Sequence, residues 1–126
     1  MKKVIETTEA PAPIGPYNQA ILVDNTLYAS GQIALNPKTM ELVNEDIQAE
    51  TTQVMKNLSE VLKAAGMDFT NVVKATIYLA DMGDFDLVNE VYGGYFNNDD
   101  APARETVQVA QLPKNVRVEI SVIAIL

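Results

Sequence analysis

Arg104 is the first residue in this sequence whose type and place suggest chemistry. It follows Ala101, Pro102 and Ala103 at the mouth of an apolar stretch, in a chain with two arginines (Arg104, Arg117) against seven lysines. A solvated surface charge is served equally well by lysine. A planar guanidinium grips a carboxylate or phosphate with two prongs. The other chemical groups on offer are few. Histidine and cysteine are both absent. Their absence removes the commonest general base, the commonest transition-metal ligand, thiolate nucleophiles and disulfides. Catalysis is left to carboxylates, lysine, tyrosine, hydroxyls, backbone groups and ordered water, a set that suits a chemically easy reaction.

The elements that must position such groups are legible from periodicity. Val4-Ile5 is a short apolar stretch, followed by the turn-rich "APAPIGPY". Ile21 to Val23 and Leu27-Tyr28, separated by Asp24-Asn25, read as two strands joined by a tight turn. Over 46–66, Ile47, Thr51, Val54, Met55, Leu58, Val61, Leu62 and Ala65 make one apolar stripe of helical period, read as plain core. Asn44 or Asp46 caps its start and Gly66 stops it. "NVVKATIYLAD" is a strand with Val73, Ala75, Ile77 and Leu79 on one face. Asp84 is expected to cap a second helix running to about residue 97, with Phe85, Val88, Tyr92, Tyr95 and Phe96 inward and Gly93-Gly94 read as a close-packing site, with a helix end nearby as the alternative. Strands at about 103–110 and 116–126 close the chain. The order β-β-β-α-β-α-β-β implies an α+β fold in one domain, 1–126, with both helices on one sheet face.

Alternation then assigns faces. Val116, Val118, Ile120, Val122 and Ala124 suit the helix-covered side. Arg117, Glu119, Ser121, Ile123 and Ile125 point the other way, beginning polar and ending apolar, which is no ordinary solvent face. Two helices cover one side only, so a second copy of the chain is the simplest cover for the other. Val107 and Val109 oppose Arg104, Thr106 and Gln108, while Tyr28, Ser30 and Gln32 alternate with Leu27, Ala29 and Ile33. Should the polar faces coincide, Arg104, Glu119 and Ser30-Gly31-Gln32 line one cleft at a subunit boundary.

Composition excludes several classes. The formal charge is −8 and no Lys/Arg run exceeds two residues, so the basic footprint of a nucleic-acid binder is missing. No apolar run approaches the roughly 20 residues of a membrane span. Lys2-Lys3 precede no apolar segment, so no signal peptide is read and a cytoplasmic location is expected.

Seven short motifs occur in order along essentially the whole chain: "IGPYNQA", "ASGQIALNP", "LKAAG", "VVKATIYLADM", "VNEVYGGYF", "PAR" and "VAQLPKNVRVEISVIA". Together they resemble the Rid family of enamine/imine deaminases, its RidA branch in particular. The resemblance implies a chorismate-mutase-like subunit with a mixed sheet, and a homotrimer with three clefts between subunits. It implies hydrolysis of 2-imino acids and their 2-aminoacrylate-type enamine tautomers to 2-keto acids and ammonia, with no metal and no organic cofactor. By position it makes Arg104 the carboxylate clamp and Glu119 the residue that orients or activates water. Tyr17 and Gly31 line the site, Asn89 lies near it, and Thr106 contributes mainly backbone. Glu105 departs from the family pattern and is a possible competitor for the guanidinium of Arg104.

Blander readings stand beside these. Arg104 could form a structural ion pair with Glu119 or Glu105. Tyr17 could be an aromatic packed beside Pro16, and Gly31 could serve close strand packing alone. Two rival functions follow: a non-catalytic trimeric module that binds small carboxylates and regulates a partner, and an RNA-cleaving translation inhibitor, which the acidity disfavours.

Overall fold

The computed structural model describes residues 1–126. Its strands are β1 (Lys2–Ile5), β2 (Ala20–Val23), β3 (Thr26–Gln32), β4 (Val72–Leu79), β5 (Ala103–Gln108) and β6 (Val118–Ile125), with helices α1 (Ile47–Ala64) and α2 (Phe85–Gly93). They form one sheet in the order β1-β2-β3-β6-β4-β5. Neighbours are antiparallel except β4 and β5, which run parallel because α2 carries the chain back between them. Both helices lie against one face, over a continuous core that includes Leu27, Val54, Leu58, Ile77, Val88, Val118 and Ile120.

Helix α1 forms where its apolar stripe is framed by stop signals. Asp46 is the N-cap, its Oδ1 accepting from the Ala49 N–H at 2.7 Å. At the other end Gly66 takes a left-handed φ of 74°, and the Gly66 and Met67 N–H groups bond Lys63 O and Leu62 O at 2.9 Å. That is the double bond of a Schellman stop, which favours glycine at the left-handed position. Val54, Met55, Leu58, Val61 and Leu62 are fully buried, each stabilising by roughly 1.5–3 kcal/mol.

Helix α2 differs from the expectation. Asp84 offers no side-chain cap; the chain enters through a 3-10 turn, Met82–Asp84, whose own cap is Asp81, accepting from Gly83 N–H at 2.8 Å. The helix stops at Gly93 with Gly94 as C-cap, not near residue 97. A Cβ on Gly93 would meet nothing within 4 Å, so the glycine pair ends a helix and does not serve close packing.

Two irregularities move side chains between faces. A shift between Val72 and Lys74 buries Val72 (4% exposed) and leaves Val73 outside (45%), reversing the face expected for Val73. A second shift between Ala29 and Gln32 in β3 buries Gln32, which alternation had set beside exposed Tyr28. A bulge changes the parity of every later residue in its strand.

The helix-free face carries an apolar row. Val4, Ile21, Tyr28 and Ile123 are register partners across β1, β2, β3 and β6, and Val4 and Tyr28 are exposed, as are Val107 and Ile125.

Candidate active site

Glu119, Tyr17 and Gly31 meet in a cavity of about 380 Å³ at one end of the helix-free face. Its walls are largely apolar, from Pro11, Ile14, Ile33, Leu35 and Pro113, with Lys114 at the edge. Glu119 stands on β6 between buried Val118 and Ile120, so alternation turns it outward. Its carboxylate lies across Gly31: a Cβ there would sit 2.8 Å from Cδ and 3.0 Å from Cγ of Glu119. A methyl group there would push the carboxylate aside, so the glycine is what lets Glu119 lie in this position. Burial against that surface raises the Glu119 pKa above the ordinary carboxylate value. A carboxylate with a raised pKa is a stronger base while it stays ionised. The Tyr17 hydroxyl accepts from the Ile14 N–H at 3.2 Å, which leaves its own proton free to donate.

Arg104 lies elsewhere. It pairs in register with Ala75, a core residue of β4, and therefore points to the helix side. Its Nη1 donates to Asn89 Oδ1 at 2.6 Å. The guanidinium carbon lies 5.6 Å from the Phe85 ring centre and 5.1 Å from that of Tyr92. Residues 85, 89 and 92 share one face of α2, so a single helical surface orients the fork. The acceptor is a neutral amide, and Arg104 makes no ion pair within the chain. Glu105 points to the opposite face and pairs with Lys74 at 2.8 Å, so it does not compete for Arg104. Glu119 does not pair with Arg104 either, which removes both structural ion pairs considered from the sequence. Thr106 follows Arg104 on the helix side, and the Thr106 Oγ1 and Tyr92 OH are buried without a partner in the chain. Burial raises the Tyr92 pKa, with the charge of Arg104 opposing.

The six candidates thus divide into Tyr17, Gly31 and Glu119 on one face and Asn89, Arg104 and Thr106 on the other. The expectation that Arg104 and Thr106 share a face with Glu119 is corrected for the single chain. Arg104 sits at the β4 register of residue 75 and Glu119 at that of residue 78, on strands either side of β4. That separates them by about 10 Å along the strands and about 10 Å across them, with the sheet between.

Against this geometry the relatives of the chain can be set. Residues 7–126 match the family model described as Endoribonuclease L-PSP. The human protein named 2-iminobutanoate/2-iminopropanoate deaminase is 53% identical over 125 residues, covering 99% of this chain and 90% of the human one. A RutC family protein of Pyrococcus horikoshii is 51% identical over 124 residues, covering 98% of each. A crystal structure of a Rid family protein of unknown function from Yersinia pestis superposes with a TM-score of 0.96 at 48% identity, covering 100% of both chains. The chain belongs to the Rid family. Its α+β sheet with two helices on one face is the chorismate-mutase-like Rid fold. E. coli TdcF, solved with bound serine, superposes with a TM-score of 0.92 at 39% identity, covering 98% of each chain.

Three buried polar residues, none of them singled out from the sequence, brace the walls of this Rid cavity or the chain that leads out of them into β6. Gln19 accepts from the Thr7 N–H at 2.7 Å and donates to the carbonyls of Thr7, Ala10 and Pro11, holding the loop that leads to Ile14 and Tyr17. Asn57 donates to the carbonyls of Ile33 and Leu35 at 3.1 and 3.0 Å. Glu50 grips Arg117 through two bonds of 2.7 Å. Arg117 is accordingly on the helix side, not beside Glu119 as alternation suggested. One signal was present: Glu50 and Asn57, seven residues apart, border the apolar stripe of α1 on the same side.

Proposed function

We propose that this protein hydrolyses small reactive 2-imino acids and their enamine tautomers, 2-iminopropanoate and 2-iminobutanoate among them, to 2-keto acids and ammonia. The observation that carries the reading is Arg104. A guanidinium aligned by a neutral amide and two aromatic rings, with no carboxylate partner in its own chain, is poised for a planar carboxylate supplied by a ligand. The names of the human and mouse relatives support the substrate class at 53% and 55% identity. The bound serine of E. coli TdcF supports a small amino-carboxylate as the kind of ligand.

In this mechanism Arg104 takes the carboxylate and fixes the adjacent electrophilic C2. Glu119 accepts a proton from a water as it attacks C2, giving a carbinolamine. That proton passes to nitrogen, the carbinolamine hydroxyl then gives up its own proton, also relayed to nitrogen by Glu119, and the C–N bond breaks so that ammonia leaves as the C2 carbonyl forms. The Tyr17 hydroxyl donates to the developing oxygen or to the attacking water. Gly31 keeps the Glu119 carboxylate in place, and Asn89 and Thr106 line the carboxylate end. An enamine enters after tautomerising to the imine.

The carboxylate carbon and C2 are bonded neighbours, so Arg104 and Glu119 acting on one molecule must come from two subunits. We propose a homotrimer of single Rid-type domains, with each site assembled from the Arg104 half of one subunit and the Glu119 half of the next. The row of exposed Val4 and Tyr28 and half-buried Ile123, backed by exposed Ile125, supports that packing.

The test generates 2-iminobutanoate in situ with a threonine dehydratase and follows 2-ketobutanoate release. Acceleration by the wild-type protein is expected, falling roughly 10²-fold or more in Glu119→Gln while 2-ketobutanoate binding persists. Binding that depends on Arg104, with no acceleration by the wild type, would instead establish the carboxylate-binding module. The net charge of −8 argues against RNA as the substrate.

A further inference from the structure

We propose that Glu50 is a positioning residue for Glu119, acting through Arg117; this rests on the reading of Glu119 as the base. Glu50 lies on the first turns of α1, and its side chain is 2% exposed against 39% for Arg117. One carboxylate oxygen accepts the Arg117 backbone N–H and the other accepts Nε–H, both at 2.7 Å. The guanidinium also donates from Nη2 to Asn44 O at 3.0 Å, and the Arg117 carbonyl accepts from the Ala80 N–H at 3.0 Å. Main chain and side chain of residue 117 are therefore both tied down, two residues before Glu119.

What precedes residue 117 gives that grip its purpose. Lys114 and Asn115 hold left-handed φ values of 55° and 56°. This costs about 1–2 kcal/mol for Lys114 and less for Asn115, whose short polar side chain tolerates the region, and such a pair persists only where its surroundings over-determine it. Buried Leu112 anchors the turn upstream; buried Val116 and the gripped Arg117 anchor it downstream. The turn carries Pro113 and Lys114 to the edge of the cavity and leads directly into β6. Released from Glu50, Arg117 would fall by alternation onto the helix-free face beside Glu119. A guanidinium there favours the ionised, weaker base. Stability alone is a poor account of the pair, because desolvating a carboxylate as buried as that of Glu50 carries a cost that an apolar side chain of similar volume avoids.

Two variants test this: the paired replacement Glu50→Met/Arg117→Met, which leaves no stranded charge, and the isosteric Glu50→Gln. The expected result is a kcat for imine hydrolysis at least tenfold lower, with KM and 2-ketobutanoate affinity within about twofold of wild type, since Arg104 is oriented by α2. Independently of activity, the ¹³C titration of the Glu119 carboxyl should move by about half a pH unit or more, downward in Glu50→Gln. The titratable neighbours, Tyr17 and Lys114 in the cavity and Tyr78, the register partner of Glu119 on β4, are unchanged in both variants. Either variant that folds decides the matter: wild-type kcat together with a wild-type Glu119 titration overturns the proposal. A wild-type protein that fails to hydrolyse imines would sink the proposed reaction, and the titration alone would then judge the positioning.

Discussion

Arg104→Lys keeps the charge and removes the fork. Lysine cannot donate from one plane to both carboxylate oxygens, nor stack between Phe85 and Tyr92 as a guanidinium does. Imine hydrolysis is expected to fall at least tenfold, about 1.4 kcal/mol of transition-state stabilisation, with little change in Tm, because Arg104 makes no ion pair in the chain. Wild-type kinetics in this variant would remove Arg104 from the mechanism. Glu119 makes a different kind of prediction. Its folded carboxyl holds a proton to higher pH than the unfolded one, because burial penalises the charge. The native state therefore binds more protons between the ordinary and the raised pKa, and stability falls as pH rises through that window. Thermal melts should find Glu119→Gln more stable than wild type at pH 7, with the difference gone near pH 3, below both values. The acid limb of kcat in the wild type should likewise lie above the ordinary carboxylate range. Equal melts at both pH values would mean that Glu119 is not held against a desolvating surface.

Among the elements, α1 does more than cover the sheet. Its outer residues are solvated, its apolar stripe fills the core, and of two polar residues bordering that stripe, Asn57 reaches to the cavity walls and Glu50 to Arg117 beside them. The start of the helix therefore matters to the site as well as to the fold. Two residues were candidates for the cap, and the structure separates their roles. Asp46 uses its side chain, accepting from Ala49, whereas Asn44 uses its backbone carbonyl, accepting from Arg117. Asp46→Ala should cost about 1 kcal/mol, a few degrees of Tm for a chain of this size. Asn44→Ala should leave Tm unchanged. Circular-dichroism melts of the two variants side by side check both expectations. Helix α2 has a parallel role on its own side of the sheet, since three of its residues orient Arg104.

At the scale of the molecule, the proposed trimer would have each chain hold two halves of different sites. Light scattering at micromolar concentration should give about three times 13.8 kDa. Placing a charge at the β6 end of the apolar row, as in Ile123→Glu, should shift the mass toward 13.8 kDa and abolish imine hydrolysis. Each separated chain would still carry an intact Arg104 and an intact Glu119. A monomeric variant that retains full activity would show that one subunit suffices and sink the shared site.

The order of the elements, the stripe of α1, the stop at Gly66 and the core face of β6 were all legible in the sequence. Each rests on a local rule, 3.6-residue or two-residue periodicity or the chemistry of a cap. The seven motifs likewise marked the family and its candidate residues by position. Only the tertiary structure decided which face each candidate occupies. Strand parity is local, but it is reset wherever a bulge or a strained turn intervenes, as at Ala29–Gln32, at Val72–Lys74 and at Lys114-Asn115. The same holds for the partners of charged side chains. Arg117 and Glu50 are 67 residues apart and Arg104 and Asn89 are 15 apart, so neither pairing leaves a periodic trace. Which carboxylate a guanidinium meets, or whether it meets none, is settled by the packing of elements that the chain brings together only on folding.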